Sequence, residues 1–192
     1  EPADGSELAS HPLAPVSDTD FLKLIAILRM AVPYTGLILS TRETPELRRA
    51  AFRLGVSQIS AGSVTNPGGY AHPESEVAGQ FSLGDHRSLD EVVRDVLELG
   101  FVPSFCTACY RLGRTGRDFM DLAKPGEIKT HCLPNALATL QEYLGEFADP
   151  ATRTAGELRI GADLDDIEEP KLRRRAGRMV QAVKQGKRDV FC

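Results

Sequence analysis

The sequence predicts an α/β chain: two short parallel strands with crossover helices, followed by a mainly helical second half. Three observations predict it. Helical and strand-like patterns alternate over residues 17–60 as helix, strand, helix, strand, the order that makes strands parallel and helices crossovers. The stretch "TGLILS", 35–40, is an apolar run with almost no alternation, as expected of a strand covered on both faces. From residue 88 onward the recurring pattern is helical. Two strands cannot close a barrel, so this sheet is the edge of something larger or a truncated piece.

In chain order, Ser17 or Asp18 caps a first helix whose apolar face uses Phe21, Leu24, Ile25 and Leu28, with Pro33 beyond its end. "TPELRRAAFRLG", 44–55, places Pro45 in a first helical turn and Gly55 past a helix end. "VSQIS", 56–60, is the second strand, and 62–87 is loop-rich. In "SLDEVVRDVLELG", 88–100, Ser88 and Glu91 make a capping box, and Leu89, Val92, Val93, Val96 and Leu97 share a face. "FVPSF", 101–105, is extended and delivers Cys106. An amphipathic helix over 134–148 starts at Pro134 or Asn135. A last helix covers 169–186, with Arg173, Arg174 and Arg175 on a solvated face.

Composition narrows the function classes. With 192 residues, 42% hydrophobic and 26% charged, the chain can build a core without disulfide staples. A net charge of -4, with no like-charge block beyond Arg173–Arg175, gives no electrostatic footprint for nucleic acid. The longest apolar run, Leu24 to Val32, is broken by Arg29 and too short to span a membrane. The opening "EPADGSELASHPLAP" is polar and lacks an initiator methionine. It reads as a fragment or half of a divided protein; a flexible, processed terminus fits equally. Four cysteines without a secretory signal point to thiol or metal chemistry in the cytoplasm.

Cys106, Cys109 and Cys132 form C-x2-C-x22-C, and Cys192 ends the sequence. A redox pair accounts for the first two cysteines and leaves Cys132 unexplained. A closed zinc site needs four ligands. His131 abuts Cys132, and adjacent residues rarely point at one ion; Cys192 sits on a chain end expected to be mobile. A 4Fe–4S cubane takes one thiolate per iron, so three thiolates leave one iron open to an outside ligand. Spacing by itself leaves zinc and a cluster equally open.

The residues around the cysteines carry more. "LILSTRETPELRRAAFRLGVSQISAG", "GGY", "FSLGDHRSLDEVVRDVLELGF", "PSFCTACYRLGRTG", "FMDLAKPGEIK" and "PNALATLQEYL" resemble the HydG family. These are radical S-adenosylmethionine maturases of FeFe-hydrogenase, related to the ThiH tyrosine lyases. The likeness runs from about residue 17 to 148, and "CTACYR" with its third cysteine separates HydG from ThiH. It implies that 1–16 is a flexible lead-in, 17–70 the last two β/α units of a radical SAM (β/α)8 TIM barrel, and 71–192 a mainly helical iron–sulfur domain.

The resemblance further implies cleavage of L-tyrosine to p-cresol and dehydroglycine, and conversion of the latter to CO and cyanide. It implies an auxiliary 4Fe–4S cluster on Cys106, Cys109 and Cys132, with an additional iron and free L-cysteine. Other hydrogenase maturases or apo-hydrogenase are the implied recipients. S-adenosylmethionine and a second 4Fe–4S cluster belong to the complete enzyme. The family's C-x3-C-x2-C triplet is absent from this sequence, so the chain is expected to be inactive without the N-terminal barrel half. The family often has histidine after its third cysteine, where this chain has Leu133. Barrel strand ends are where chemistry sits. That makes Ser40, Arg42, Ser60 and Ser63 candidates for holding substrate or cofactor, Arg42 as a carboxylate clamp. Without the resemblance, Arg42 reads as a loop ion pair with Glu43, and the serines as turn residues. Arg111 and Arg114 either offset thiolate charge or form a solvated face.

Overall fold

The computed structural model describes residue 7, residues 11–72 and residues 79–192. Much of the expected lead-in and part of the 62–87 loop lie outside the described residues. The chain forms two compact units, one ending at Leu89 and one running from Asp90 to Cys192.

The first unit contains α1 (Asp18–Ala31), β1 (Ile38–Leu39), α2 (Pro45–Arg53) and β2 (Gln58–Ile59). Ser17 caps α1 by accepting from Asp20 N at 3.2 Å, and Thr44 caps α2 by accepting from Leu47 N at 3.3 Å. Gly55, at φ 103°, ends the turn after α2 in a conformation side chains resist. The strands pair in parallel, Ile38 with Gln58 and Leu39 with Ile59. They are shorter than the apolar run suggests, and Ile38 is 72% exposed while Leu39 is 6%. Successive strand residues face opposite sides, and the core of Ile25, Leu39, Ala51 and Val56 lies on the side of Leu39. Arg29, which interrupts the apolar run, donates to the carbonyls of Gly55, Pro33 and Thr35 and so ties α1 to the turns around it.

The loop after residue 79 returns to the strand ends. Gly84 N and Asp85 N both donate to Thr41 O at 3.0 Å, and Gly62 N donates to Arg87 O at 3.2 Å. Gly84 is required by close approach: a Cβ there would meet the Arg42 carbonyl and lie 2.7 Å from Glu43 C. Because the obstacle is backbone, Gly84→Ala is expected to cost about 1–3 kcal/mol, read as a lower urea midpoint at unchanged slope.

The second unit is helical: α3 (Leu89–Glu98, its first residue closing the first unit), α4 (Ala108–Arg111), α5 (Gly116–Ala123), α6 (Lys129–Glu146), α7 (Pro150–Asp166) and α8 (Pro170–Lys184). Val93, Leu97, Leu137, Leu140, Leu144, Ile160, Ala176 and Val180 form its core, with α6 packed against α7 and α8. Asp90 accepts from Tyr143 Oη at 2.9 Å and from Thr152 Oγ1 at 2.8 Å, joining three helices.

Further features differ from the sequence reading. Helix α6 begins five residues before Pro134 rather than at it. A proline there removes the N–H that would bond the carbonyl four residues back. That carbonyl belongs to Thr130, and it accepts from Arg175 Nη2 instead. Arg175 is therefore structural and half-buried, and Arg173 donates to Ile167 O and Asp165 O; the arginine run is not merely solvated. Helix α7, which the sequence reading missed, is capped by Asp149 accepting from Thr152 N at 2.7 Å. Gly156 of α7 lies against Leu144, where a Cβ would come within 2.5 Å of Leu144 Cδ1. Its interrupted apolar pattern closes only against α6.

Candidate metal centre

The cysteine turn is built from the backbone outward. Gly100, at φ 86°, ends α3 and releases the chain into the extended 101–105 segment. Phe105 N donates to Thr139 Oγ1 at 3.3 Å, and the Phe105 ring stacks on Tyr143 with centroids 4.9 Å apart. This anchors the approach to Cys106 on α6. Cys106 N donates to Ser104 Oγ at 3.3 Å, and Cys106 Sγ accepts from Ala108 N at 3.4 Å. Cys109 lies within the short α4, and Cys132 lies in the opening turns of α6, with its N–H on Ile128 O at 2.9 Å.

All four cysteines are free thiols; Cys106, Cys109 and Cys192 are half-buried and Cys132 reaches solvent. Although Cys132 is solvent-accessible, enough protein surrounds its sulfur that desolvation is the largest cause raising its pKa. The charges of Cys109, Cys106 and Cys192 push the same way, and Arg114 opposes them. The four sulfurs thus share one electrostatic field, in which assembled thiolates repel unless a cationic centre lies among them. Nearby, burial lowers the His131 pKa, and Arg114 and Arg175 add to the shift. Arg114 Nε, Arg175 Nε and His131 Nδ1 are buried without a hydrogen-bond partner among the described residues. Soft thiols as the donor set, with the unpartnered Nε atoms of two arginines nearby, fit an anionic iron–sulfur cluster. Among the described residues, no three His, Cys, Asp or Glu side chains, those of Cys106, Cys109 and Cys132 included, form a group that could hold a metal ion.

Cys192 departs from expectation. Its N donates to Asn135 Oδ1 at 2.8 Å, and its O accepts from Asn135 Nδ2 and Arg114 Nη2, each at 3.1 Å. The chain end is docked because buried Asn135 offers it both a donor and an acceptor.

In the first unit, Ser40 and Arg42 follow β1, and Ser60 and Ser63 follow β2. Ser40 Oγ accepts from Arg42 N at 3.3 Å. The exposed Arg42 guanidinium lies 4.1 Å from the Phe81 ring centroid, a cation–π contact. Ser63 lines a cavity of about 450 Å³ with Thr65, Asn66, Phe81, Ser82 and His86. The sequence reading missed the group beneath these strand ends. Arg48 and Asp85, each 1% exposed, form an ion pair. Arg48 also donates to Ser60 O, and Arg87 reaches both Asp85 oxygens, at 2.9 and 2.7 Å. Charged residues this buried are rarely left unpaired, but sequence offers no signal for which partners meet.

The profile of the family described as "Biotin and Thiamin Synthesis associated domain" matches residues 1–102. The chain belongs to this family. Among curated members of the wider group, this domain-family chain is 34% identical over 109 residues to the 2-iminoacetate synthase of Escherichia coli (strain K12), covering 56% of this chain and 28% of that protein. It is 36% identical over 95 residues to the 2-iminoacetate synthase of Salmonella typhimurium, covering 48% and 24%. Among solved structures, HydG, a maturase of the [FeFe]-hydrogenase, superposes at a TM-score of 0.91 with 45% identity, over 100% of this chain and 41% of that one. The HydG of Carboxydothermus hydrogenoformans gives a TM-score of 0.65 with 39% identity, over 87% and 34%. The chain spans about a quarter of the length of the curated relatives it matches. The resemblance read from the sequence holds: this member of the biotin and thiamin synthesis associated family is similar to the C-terminal part of HydG and is related to radical SAM enzymes. Its two-stranded parallel sheet with a mainly helical remainder is the partial-barrel fold expected of that part. No helix among the described residues is long and apolar enough to cross a membrane.

Proposed function

We propose that this chain supplies the auxiliary-cluster part of a radical SAM tyrosine lyase acting in FeFe-hydrogenase maturation. The complete enzyme cleaves L-tyrosine to p-cresol and dehydroglycine and converts the latter to CO and cyanide. The observation that carries the reading is C-x2-C-x22-C, with its sulfurs in one field beside Arg114. Cys106, Cys109 and Cys132 would hold the auxiliary 4Fe–4S cluster, to which an additional iron and free L-cysteine would be added. When bound, that cluster supplies an iron with an exchangeable coordination position and a reservoir for electrons.

The chain's own residues prepare the site. The Ala108 N–H steadies the Cys106 sulfur at 3.4 Å. Arg114 offsets the negative charge that three thiolates bring together. At the strand ends, the Arg42 guanidinium clamps a carboxylate, and the Ser40, Ser60 and Ser63 hydroxyls orient the amino-acid ends of substrate or cofactor. Arg48, through Ser60 O, and Asp85, through Thr41 O, hold those strand ends in place. S-adenosylmethionine and its 4Fe–4S cluster come with the N-terminal barrel half. The setting is the cytoplasm, and the iron product passes to apo-hydrogenase or another maturase.

Anaerobic reconstitution with iron, sulfide and cysteine tests this. The expected result is a brown protein with about four irons and four sulfides per chain, whose magnetic resonance spectrum changes when free cysteine is added. A colourless protein with one zinc and no sulfide would instead make it a zinc-stapled interaction module.

A further inference from the structure

The segment 188–192 lies along α6 and joins it to the cysteine turn. On the α6 side, Asn135 makes its two main-chain bonds to Cys192. Glu142 Oε2 accepts from Asp189 N at 3.0 Å, and Glu146 pairs with Arg188. Val190 and Cys192 pack against Ala138, Met179 and Val183. On the turn side, Arg111 pairs with the Asp189 carboxylate and lies 4.6 Å from the Phe191 ring centroid. Arg114 donates to Cys192 O at 3.1 Å. Asp189 is the only non-glycine at positive φ among the described residues, at 61°. Such a conformation persists where its surroundings over-determine it, and here five side chains, those of Asn135, Glu142, Glu146, Arg111 and Arg114, grip the segment.

We propose that residues 188–192 are a clasp that positions the C-x2-C turn against Cys132; this rests on the auxiliary-cluster reading above. Asn135 stands one helical turn beyond Cys132 on α6. Arg111 and Arg114 follow Cys109 by two and five residues. The turn is therefore mounted on α6 at both ends. Upstream it is held directly, through Phe105 on Thr139 and Tyr143. Downstream it is held through the clasp. A ligand turn held at one end would have to be ordered each time a cluster bound, at the cost of its conformational entropy. The clasp residues are positioning residues: they touch the Arg111 and Arg114 side chains that follow the turn, and none of them supplies a ligand.

The test is hydrogen exchange in the cluster-free protein, followed by iron retention in the loaded one. The variants are Asp189→Ala with Phe191→Ala, Asp189→Ala alone, and the charge exchange Arg111→Asp with Asp189→Arg. Losing an exposed ion pair and a cation–π contact should speed exchange of amides 107–115 by roughly three- to thirtyfold in the double variant. Amides of α3 and α7 should be unchanged, and iron should pass to a chelator faster by a similar factor. The charge exchange should restore protection relative to Asp189→Ala. Unchanged exchange at 107–115 in the double variant, an equal acceleration spread over α3 and α7, or a charge exchange that restores nothing would each overturn the clasp. Wild-type protein that takes up no iron and sulfide would instead sink the cluster reading, leaving the exchange result to decide the clasp. A loaded wild type and a double variant alike in both measurements would sink the clasp alone.

Discussion

Asp85→Ala is expected to destabilise the protein by about 3–5 kcal/mol. The reason is what remains behind. Arg48 is 1% exposed, so removing Asp85 takes the carboxylate away from a buried guanidinium. Arg87 loses its two side-chain bonds to Asp85 in the same step, while the main-chain bonds of the loop to Thr41 O remain. The urea midpoint at neutral pH measures the loss. Exchanging both partners for apolar residues, Arg48→Met with Asp85→Leu, should cost less than Asp85→Ala, because no charge is then stranded.

The same carboxylate makes stability depend on acid. Burial, the largest single influence, pushes the Asp85 pKa up; the Arg87 hydrogen bonds and the Arg48 and Arg87 charges outweigh it and bring it down from 3.8 to about 2. A group whose folded pKa is depressed contributes stability that is complete above its unfolded value and lost as pH falls through the folded one. The window is therefore about pH 4 to pH 2, and the amount about 2 kcal/mol. Comparing urea midpoints at pH 5 and pH 2.5 checks it, and Asp85→Asn should flatten that part of the profile.

The second large effect is chemical. Cys106→Ala, Cys109→Ala or Cys132→Ala should each take the reconstituted protein from about four irons towards none, because a cubane on two protein thiolates has two open corners. Iron and sulfide assays and the visible spectrum read it. Cys192→Ala separates this from a general effect of thiol loss. The docked segment uses the Cys192 main chain, so this variant should retain iron close to the wild-type amount. Colour that survives in Cys106→Ala and Cys109→Ala would reject the ligand assignment.

Some of this molecule was legible without coordinates, and the legible parts share a range. The cap at Ser17 or Asp18, Pro45 in the first turn and Gly55 past the end of α2 depend on neighbours within a turn or two. The cysteine spacing C-x2-C-x22-C, and the family resemblance around it, are likewise properties of the chain written out in order.

Tertiary structure alone decided the rest. Asp85 meets Arg48 across 37 residues, Arg175 meets Thr130 across 45, and Cys192 meets Asn135 across 57. The early start of α6 is the instructive case. Pro134 reads locally as a helix beginning, and becomes interior because a distant arginine satisfies the carbonyl it orphans. Caps and turns are set by bonds that a residue makes with its own stretch of backbone, so the residue type announces them. A buried charge, an orphaned carbonyl or a docked chain end announces only a need, and the partner that meets it is chosen by the packing of the folded chain.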